Sequence, residues 1–134
     1  ESINSLEFIK NRLEVKKEGN LLIIDDSYNS NPRGFVNALE VLRFYGGKRY
    51  LITPGIVEAG EKTKMINYNI GIEIARSLAE VRLIKNTSSM YIYDALKGLG
   101  YQNVAIYNSF AEARKGIKEG CLLIENDLPD KYLM

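Results

Sequence analysis

Histidine is absent from this 134-residue chain, and cysteine occurs once, at Cys121. The first absence removes imidazole from every acid–base, nucleophilic and metal-binding scheme. The second excludes an internal disulfide, and a lone thiol cannot build a thiolate cluster, so no metal site is expected. Cys121 lies in the apolar run Cys121-Leu122-Leu123-Ile124, where a small buried thiol is expected rather than a nucleophile. Charge of one sign is equally scarce: 18 basic and 17 acidic side chains leave a formal charge of +1 and are interspersed along the chain. Such a balance argues against a nucleic-acid partner, and any anionic ligand has to be met locally. No apolar stretch approaches the roughly 20 residues of a membrane-spanning helix, and no basic segment followed by an apolar run opens the chain. No membrane insertion is therefore expected, and the location reads as cytoplasmic. Internal repeats, low-complexity stretches and an interdomain linker are missing too, so residues 1–134 read as one domain. The opening Glu1-Ser2-Ile3-Asn4, without an initiator methionine, reads as the start of a piece of something longer.

What is present is an alternation of short branched runs and helical spacings. Residues 21–24, 50–53 and 121–124 are apolar, β-branched in part, too short for a typical helix and bounded by turn residues, and they read as buried strands. Residues 81–84 and 104–107 are two weaker strand candidates. Residues 13–16 alternate as an exposed edge strand, hairpinned to the next through Glu18-Gly19-Asn20. Between them, four apolar stripes recur at helical spacing: Phe35, Ala38, Leu39 and Leu42; Ile66, Ile70, Ile74 and Leu78; Tyr91, Ala95 and Leu99; Phe110, Ala113 and Ile117. Pro32, Gly46-Gly47, Gly98, Gly100, Ser109 and Gly120 punctuate their ends. The pattern predicts an α/β, Rossmann-like three-layer domain of about six strands, mostly parallel, with an antiparallel edge from the N-terminal hairpin. In such sheets ligands gather beyond the carboxyl ends of the strands, just after Ile24, Thr53 and Ile124.

The densest polar cluster stands at one of those ends: Asp25-Asp26-Ser27-Tyr28-Asn29-Ser30-Asn31-Pro32-Arg33-Gly34. Two carboxylates directly after a buried strand are costly unless they face solvent, a helix N-terminus or a ligand, so an anion or a ribose could dock in this strand-to-helix loop. Asn, Ser, Asp and Pro are also what helix caps and turns prefer, and that plainer reading stays open.

The string from Asp25 to Pro32 resembles the Asp-Asp-Ser/Thr-Tyr-Asn-Ala-Asn-Pro signature that opens the C-terminal domain of MurF enzymes, within the Mur family of ATP-dependent amide ligases. Asn11-Arg12-Leu13-Glu14 is similar to the His-Arg-Leu-Glu segment leading into that domain, with Asn11 in the place of the family histidine. Thr53-Pro54-Gly55-Ile56-Val57-Glu58-Ala59-Gly60-Glu61 resembles the Thr-Pro-Gly-Met-Val-Glu-Leu-Gly loop of some MurF branches. Glu125-Asn126-Asp127-Leu128-Pro129-Asp130 resembles a strand-end segment of that same branch and departs from the Lys-Gly-Ser-Arg of other MurF enzymes.

The resemblance implies a three-domain ligase in which ATP phosphorylates a substrate carboxylate and an incoming amine attacks the acyl phosphate. ATP and Mg²⁺ would be held mainly by a central domain outside this chain. The phosphate loop Gly-x-x-x-x-Gly-Lys-Ser/Thr is missing here, since Gly46-Gly47-Lys48-Arg49 lacks the upstream glycine and the hydroxyl residue. By position in the matched motifs, Asp26 is assigned to the ribose or adenosine side of ATP, with Asp25 second, because a carboxylate accepts from ribose hydroxyls. Tyr28, Asn29, Ser30, Asn31 and Pro32 would approach the phosphates or the adenine. Arg12 would offer its fork of donors to a phosphate, or pair with Glu14 or Asp25 at the surface. Glu58, Glu125, Asn126 and Asp127 would orient the incoming amine, or serve as helix caps. The implied partners are a UDP-muramoyl-peptide and D-alanyl-D-alanine, and the chain alone is expected to be inactive. The alternatives are a Mur-type ligase with another amine donor, or a free-standing Rossmann-like nucleotide-binding or regulatory module.

Overall fold

A computed structural model describes residues 13–27, 31–57 and 60–125. Six strands form one sheet: β1 (Glu14–Glu18), β2 (Asn20–Asp26), β3 (Arg49–Thr53), β4 (Glu80–Ile84), β5 (Val104–Tyr107) and β6 (Glu119–Glu125). Their order is β1-β2-β6-β3-β4-β5. Only β1 pairs antiparallel, with β2, across the turn at Gly19-Asn20; every other pairing is parallel. The expected α/β class and the antiparallel edge are both present.

Four described α-helices connect the strands, α1 (Pro32–Arg43), α2 (Thr63–Ser77), α3 (Thr87–Gly98) and the short α4 (Phe110–Arg114), with a 3-10 turn at Gly60–Lys62 leading into α2. Because side chains alternate across a strand, each central strand feeds two cores. Ile24, Leu51, Val81, Leu83, Cys121 and Leu123 pack with Phe35 and Leu39 of α1, Ile70 and Ile74 of α2, and Ile92 and Leu96 of α3. Leu21, Ile23, Tyr50, Ile52, Leu122 and Ile124 pack with Ala113 and Ile117 on the opposite face. The topology explains why three helices share a face. The chain advances from β3 through β4 to β5 with α2 and α3 between, then returns from β5 to β6. A right-handed crossover running in the reverse direction puts its helix, α4, on the other side.

The α1 stripe is as expected, with Phe35, Ala38, Leu39 and Leu42 all buried. In α2 the expected stripe ends early. The helix stops at Ser77, and Leu78 takes a left-handed φ of 59° with 72% of its surface exposed. The chain has two residues in which to turn into β4, and the Ser77 hydroxyl secures that turn by donating to Ile74 O and accepting from Ala79 N. In α3 the buried row is Ser88, Ser89, Ile92, Ala95 and Leu96, whereas Leu99 is exposed. Gly71 decides this rotation: a Cβ there would stand 2.8 Å from the Ala95 side chain and 3.1 Å from Ile92 O. Only glycine lets α2 approach that face of α3 so closely. Ile117 is buried, as the fourth stripe requires, but from the loop beyond α4.

Candidate functional site at the carboxyl ends of the strands

The alternation that builds the two cores also aims the last residue of each central strand. Asp26 follows Ile24 by two, Glu125 follows Leu123, and Thr53 follows Leu51, so all three point toward the face covered by α1, α2 and α3. Asp26 is directly opposite Glu125 in the β2–β6 register, and Ile52 is opposite Ile124 in β3–β6, which carries Thr53 alongside Glu125. The three are 3%, 0% and 0% exposed, respectively, so a polar layer closes the upper end of an apolar core. Two carboxylates in such a place are costly to bury, which makes favourable surrounding dipoles a requirement. Helices α1, α2 and α3 all begin at this rim, since each follows a strand end, and their N-terminal dipoles favour negative charge there.

Asp25 takes the opposite face and accepts a hydrogen bond from Ser27 N at 3.0 Å, folding the start of the β2–α1 loop. Asn31 caps α1, its Oδ1 accepting from Arg33 N at 2.8 Å and Gly34 N at 3.4 Å, and Pro32 occupies the first helical turn. Of the residues expected at the site, the structure places Asp26 and Glu125 side by side, with Asn31 and Pro32 exposed at the start of α1. Arg12, Tyr28, Asn29, Ser30, Glu58, Asn126 and Asp127, and with them Asn11, lie outside the described residues.

Two groups had no role in the sequence reading and belong to this rim. Thr53 Oγ1 accepts from Gly55 N at 3.0 Å, tightening the turn out of β3. Asn67 of α2, wholly buried, accepts at Oδ1 from Ile56 N at 2.8 Å and donates through Nδ2 to Ile56 O and Thr63 O, both at 2.9 Å. Asn67 stands beside the apolar stripe of Ile66 and Ile70, and a polar residue at helical spacing signals nothing by itself. Its place four residues after Thr63 is the one trace left in the sequence. Gly55 has φ +82°, and a Cβ would meet Asn67 Oδ1 at 2.9 Å and the Ser88 backbone carbon at 3.2 Å. Both conformation and space demand glycine there. Among the described residues, no group of three or more His, Cys, Asp or Glu is arranged to hold a metal ion, and no helix is long and apolar enough to cross a membrane.

No protein-family model matches the chain. Among curated proteins it is 38% identical over 64 residues to the UDP-N-acetylmuramoyl-tripeptide--D-alanyl-D-alanine ligase of Buchnera aphidicola, covering 47% of this chain and 14% of that protein. It is 30% identical over 91 residues to the ligase of the same name from Haemophilus influenzae, covering 67% of this chain and 20% of that protein. Among solved structures, MurF ligase from Thermotoga maritima in complex with ADP superimposes with a TM-score of 0.67 at 19% identity, over 87% of this chain and 27% of that one. The chain thus spans a fifth or less of the length of these curated relatives.

A mostly parallel six-stranded sheet with an antiparallel β1–β2 edge, matched in sequence and in fold to these enzymes, is that of a Mur ligase C-terminal domain. Within that class its similarity is to MurF.

Proposed function

We propose that this chain is the C-terminal domain, over residues 1–134, of an ATP-dependent ligase that adds D-alanyl-D-alanine to a UDP-muramoyl-tripeptide. The observation that carries the reading is the 91-residue match to a ligase of that specificity, which spans 67% of this chain. In the reaction a carboxylate oxygen of the tripeptide takes the γ-phosphoryl group of ATP, releasing ADP. The dipeptide amine, having lost its ammonium proton, attacks the acyl carbon, and the C–O bond breaks to release phosphate and leave an amide.

The described rim fits part of this chemistry. Carboxylates at Asp26 and Glu125 suit hydroxyl and ammonium donors, and so the ribose of the nucleotide and the incoming amine, better than they suit phosphates. Asp26 is assigned to the ribose or adenosine side, and Asn31 and Pro32, with Tyr28, Asn29 and Ser30, to the phosphates or adenine. Glu125, with Glu58, Asn126 and Asp127, is assigned to the amine. Arg12 is assigned to a phosphate. Mg²⁺, bound with the phosphates mainly by a central domain outside this chain, would neutralise charge on the transferring group. Closure of the two domains completes the site.

The test is phosphate release by the full-length gene product given ATP, UDP-muramoyl-tripeptide and D-alanyl-D-alanine, omitting each in turn. Release that needs all three is the expected result. Release with the precursor but only with another amine keeps the Mur-type mechanism and replaces the donor. No release from a folded preparation across amine donors leaves a nucleotide-binding or regulatory module. In the active enzyme Asp26→Ala is expected to raise the apparent KM for ATP by about tenfold or more, the loss of one charged hydrogen bond. An unchanged value removes Asp26 from the nucleotide site.

A further inference from the structure

Helices α1, α2 and α3 each run from the carboxyl end of one parallel strand to the amino end of another, so their last turns stand together at the end of the domain opposite the rim. At that end each helix closes on a large apolar residue. Phe44, Leu78 and Leu99 are the C-cap residues of α1, α2 and α3, and they are 89%, 72% and 55% exposed. Single exposed apolar side chains are ordinary on a protein surface, but three at one structural position on adjacent helices form a row. Helix α2 packs between α1 and α3, and neighbouring axes stand about 8–10 Å apart, so the row runs roughly 20 Å. Leu78 also holds a left-handed φ of 59°, which glycine or asparagine would adopt with less strain. Neither burial nor backbone geometry accounts for a leucine there.

Charge is sorted at the same end. Arg43, Arg76 and Lys97 occupy the last turns of the three helices, and Lys48 and Lys118 lie exposed in adjoining loops. Of the acids at this end, Glu80 pairs with Arg82, Glu18 pairs with Arg114, and Glu119 is exposed. Glu40, Glu73 and Asp94 each stand three residues before a helix cation, roughly 4.5 Å back from the tip, and Glu73 pairs with Arg76. The outermost layer is therefore apolar and cationic, whereas the rim carries carboxylates. We infer that this end is a docking surface for an anionic lipid bilayer, with Phe44, Leu78 and Leu99 entering the headgroup region and Arg43, Lys48 and Lys97 meeting lipid phosphates. Interfacial binding of this kind combines apolar side chains at the acyl boundary with basic ones among the headgroups. Nucleic acid would use the cations but offers aliphatic tips nothing to stack on. A peptide partner calls for an apolar groove rather than tips at the ends of separate helices. The contact is with the bilayer surface, since among the described residues no helix is long and apolar enough to cross it. The seven residues of β6 hold the rim roughly 23 Å from this end, so the rim stays free. The inference does not rest on the ligase reading.

The experiment is co-sedimentation of the full-length protein with vesicles of equal parts phosphatidylglycerol and phosphatidylcholine, set against phosphatidylcholine alone. Binding is expected only with the anionic vesicles, and it should weaken as salt is raised. Leu78→Gly relieves the positive φ while removing the side chain, so the melting temperature should hold or rise while vesicle binding weakens about tenfold. Phe44→Ser should weaken binding by about tenfold and Lys97→Gln by about fivefold. Val15→Ser, at an apolar residue 54% exposed on β1, should leave binding unchanged. If Phe44→Ser fails to fold, Leu78→Gly and Lys97→Gln decide the matter. Absence of binding by the folded protein overturns the inference, as does anionic binding that survives Leu78→Gly and Lys97→Gln. A concentration-dependent dimer in sedimentation velocity that Leu78→Gly abolishes, with no vesicle binding, assigns this end to a second copy of the chain and overturns the lipid assignment. Each outcome leaves the phosphate-release test of the ligase reading untouched.

Discussion

Cys121 shows how burial sets chemistry one side chain at a time. It is 1% exposed on β6, and burial pushes its thiol up to about 11 from an ordinary value of 9.0. The thiolate is the nucleophile and oxidisable form, so the native thiol is inert at neutral pH. The neutral form is favoured in the folded state, so the thiol's contribution to stability is complete below about pH 9, where the unfolded thiol is also protonated. It is lost as pH rises through 11. Cys121→Ala should remove a pH-dependent loss on the order of 2 kcal/mol between those limits, read as the difference between urea titrations of the two proteins. Parallel curves would place the thiol's titration elsewhere. That Cys121 is buried was legible from the apolar run around it; the adjacent pair Asp25 and Asp26 was not separable in that way. Strand alternation gives them opposite faces, one taken up by Ser27 N and one in register with Glu125.

Elements too short to stand alone depend on specific side chains from elsewhere. Helix α4 has five residues, below the length at which helical hydrogen bonds outweigh the ordering cost. Arg82 of β4 holds it: Nη1 donates to Ala113 O at 2.9 Å and Lys115 O at 2.7 Å, while Glu80 neutralises the guanidinium at 2.7 Å. The rings of Tyr50 and Tyr107 flank the same group, with centroids 5.4 and 5.7 Å from its carbon. Arg82→Met keeps the stem and removes every one of these bonds. It should cost roughly 2–3 kcal/mol and speed hydrogen exchange across residues 110–117 while α1, α2 and α3 stay protected. Uniform acceleration over the whole chain would show that α4 has no independent opening. No sequence pattern announced Arg82, because residues 82 and 113 meet only through a crossover. The helix stripes were legible where one apolar row was unopposed, as in α1. They were misread by a row or a turn where Gly71 against Ala95, or the short connection at Leu78, imposed the rotation.

For the molecule as a whole, the return from β5 to β6 is the deciding feature. It inserts β6 between β2 and β3, and so brings Glu125 to Asp26, 99 residues away in the chain, and to Thr53, 72 residues away. Under the proposed ligase reading the site so formed is one wall of a shared site, and the chain spans 27% of the length of the Thermotoga maritima ligase whose fold it shares. Half of a composite site leaves most of a nucleotide wet, and the isolated chain should bind ATP weakly, with a Kd above roughly 0.1 mM by calorimetry. Nanomolar binding by this chain alone would contradict a site shared between domains. The β1 edge, exposed throughout, carries Glu14, Lys16, Lys17 and Glu18, charges that oppose pairing with another sheet.

Local order was determined by the sequence itself: which runs are strands, where helices begin at Asn31 and Ser109, that the sheet is parallel behind one hairpin, and which loop is dense in polar groups. Those properties depend on neighbours within a few residues, where periodicity and capping act. Only the tertiary structure decided which carboxylate faces the helices, that Asn67 is a clamp rather than a surface amide, and that Arg82 carries α4. Each depends on groups distant in sequence, and a buried polar side chain is identified by the partners that make its burial tolerable.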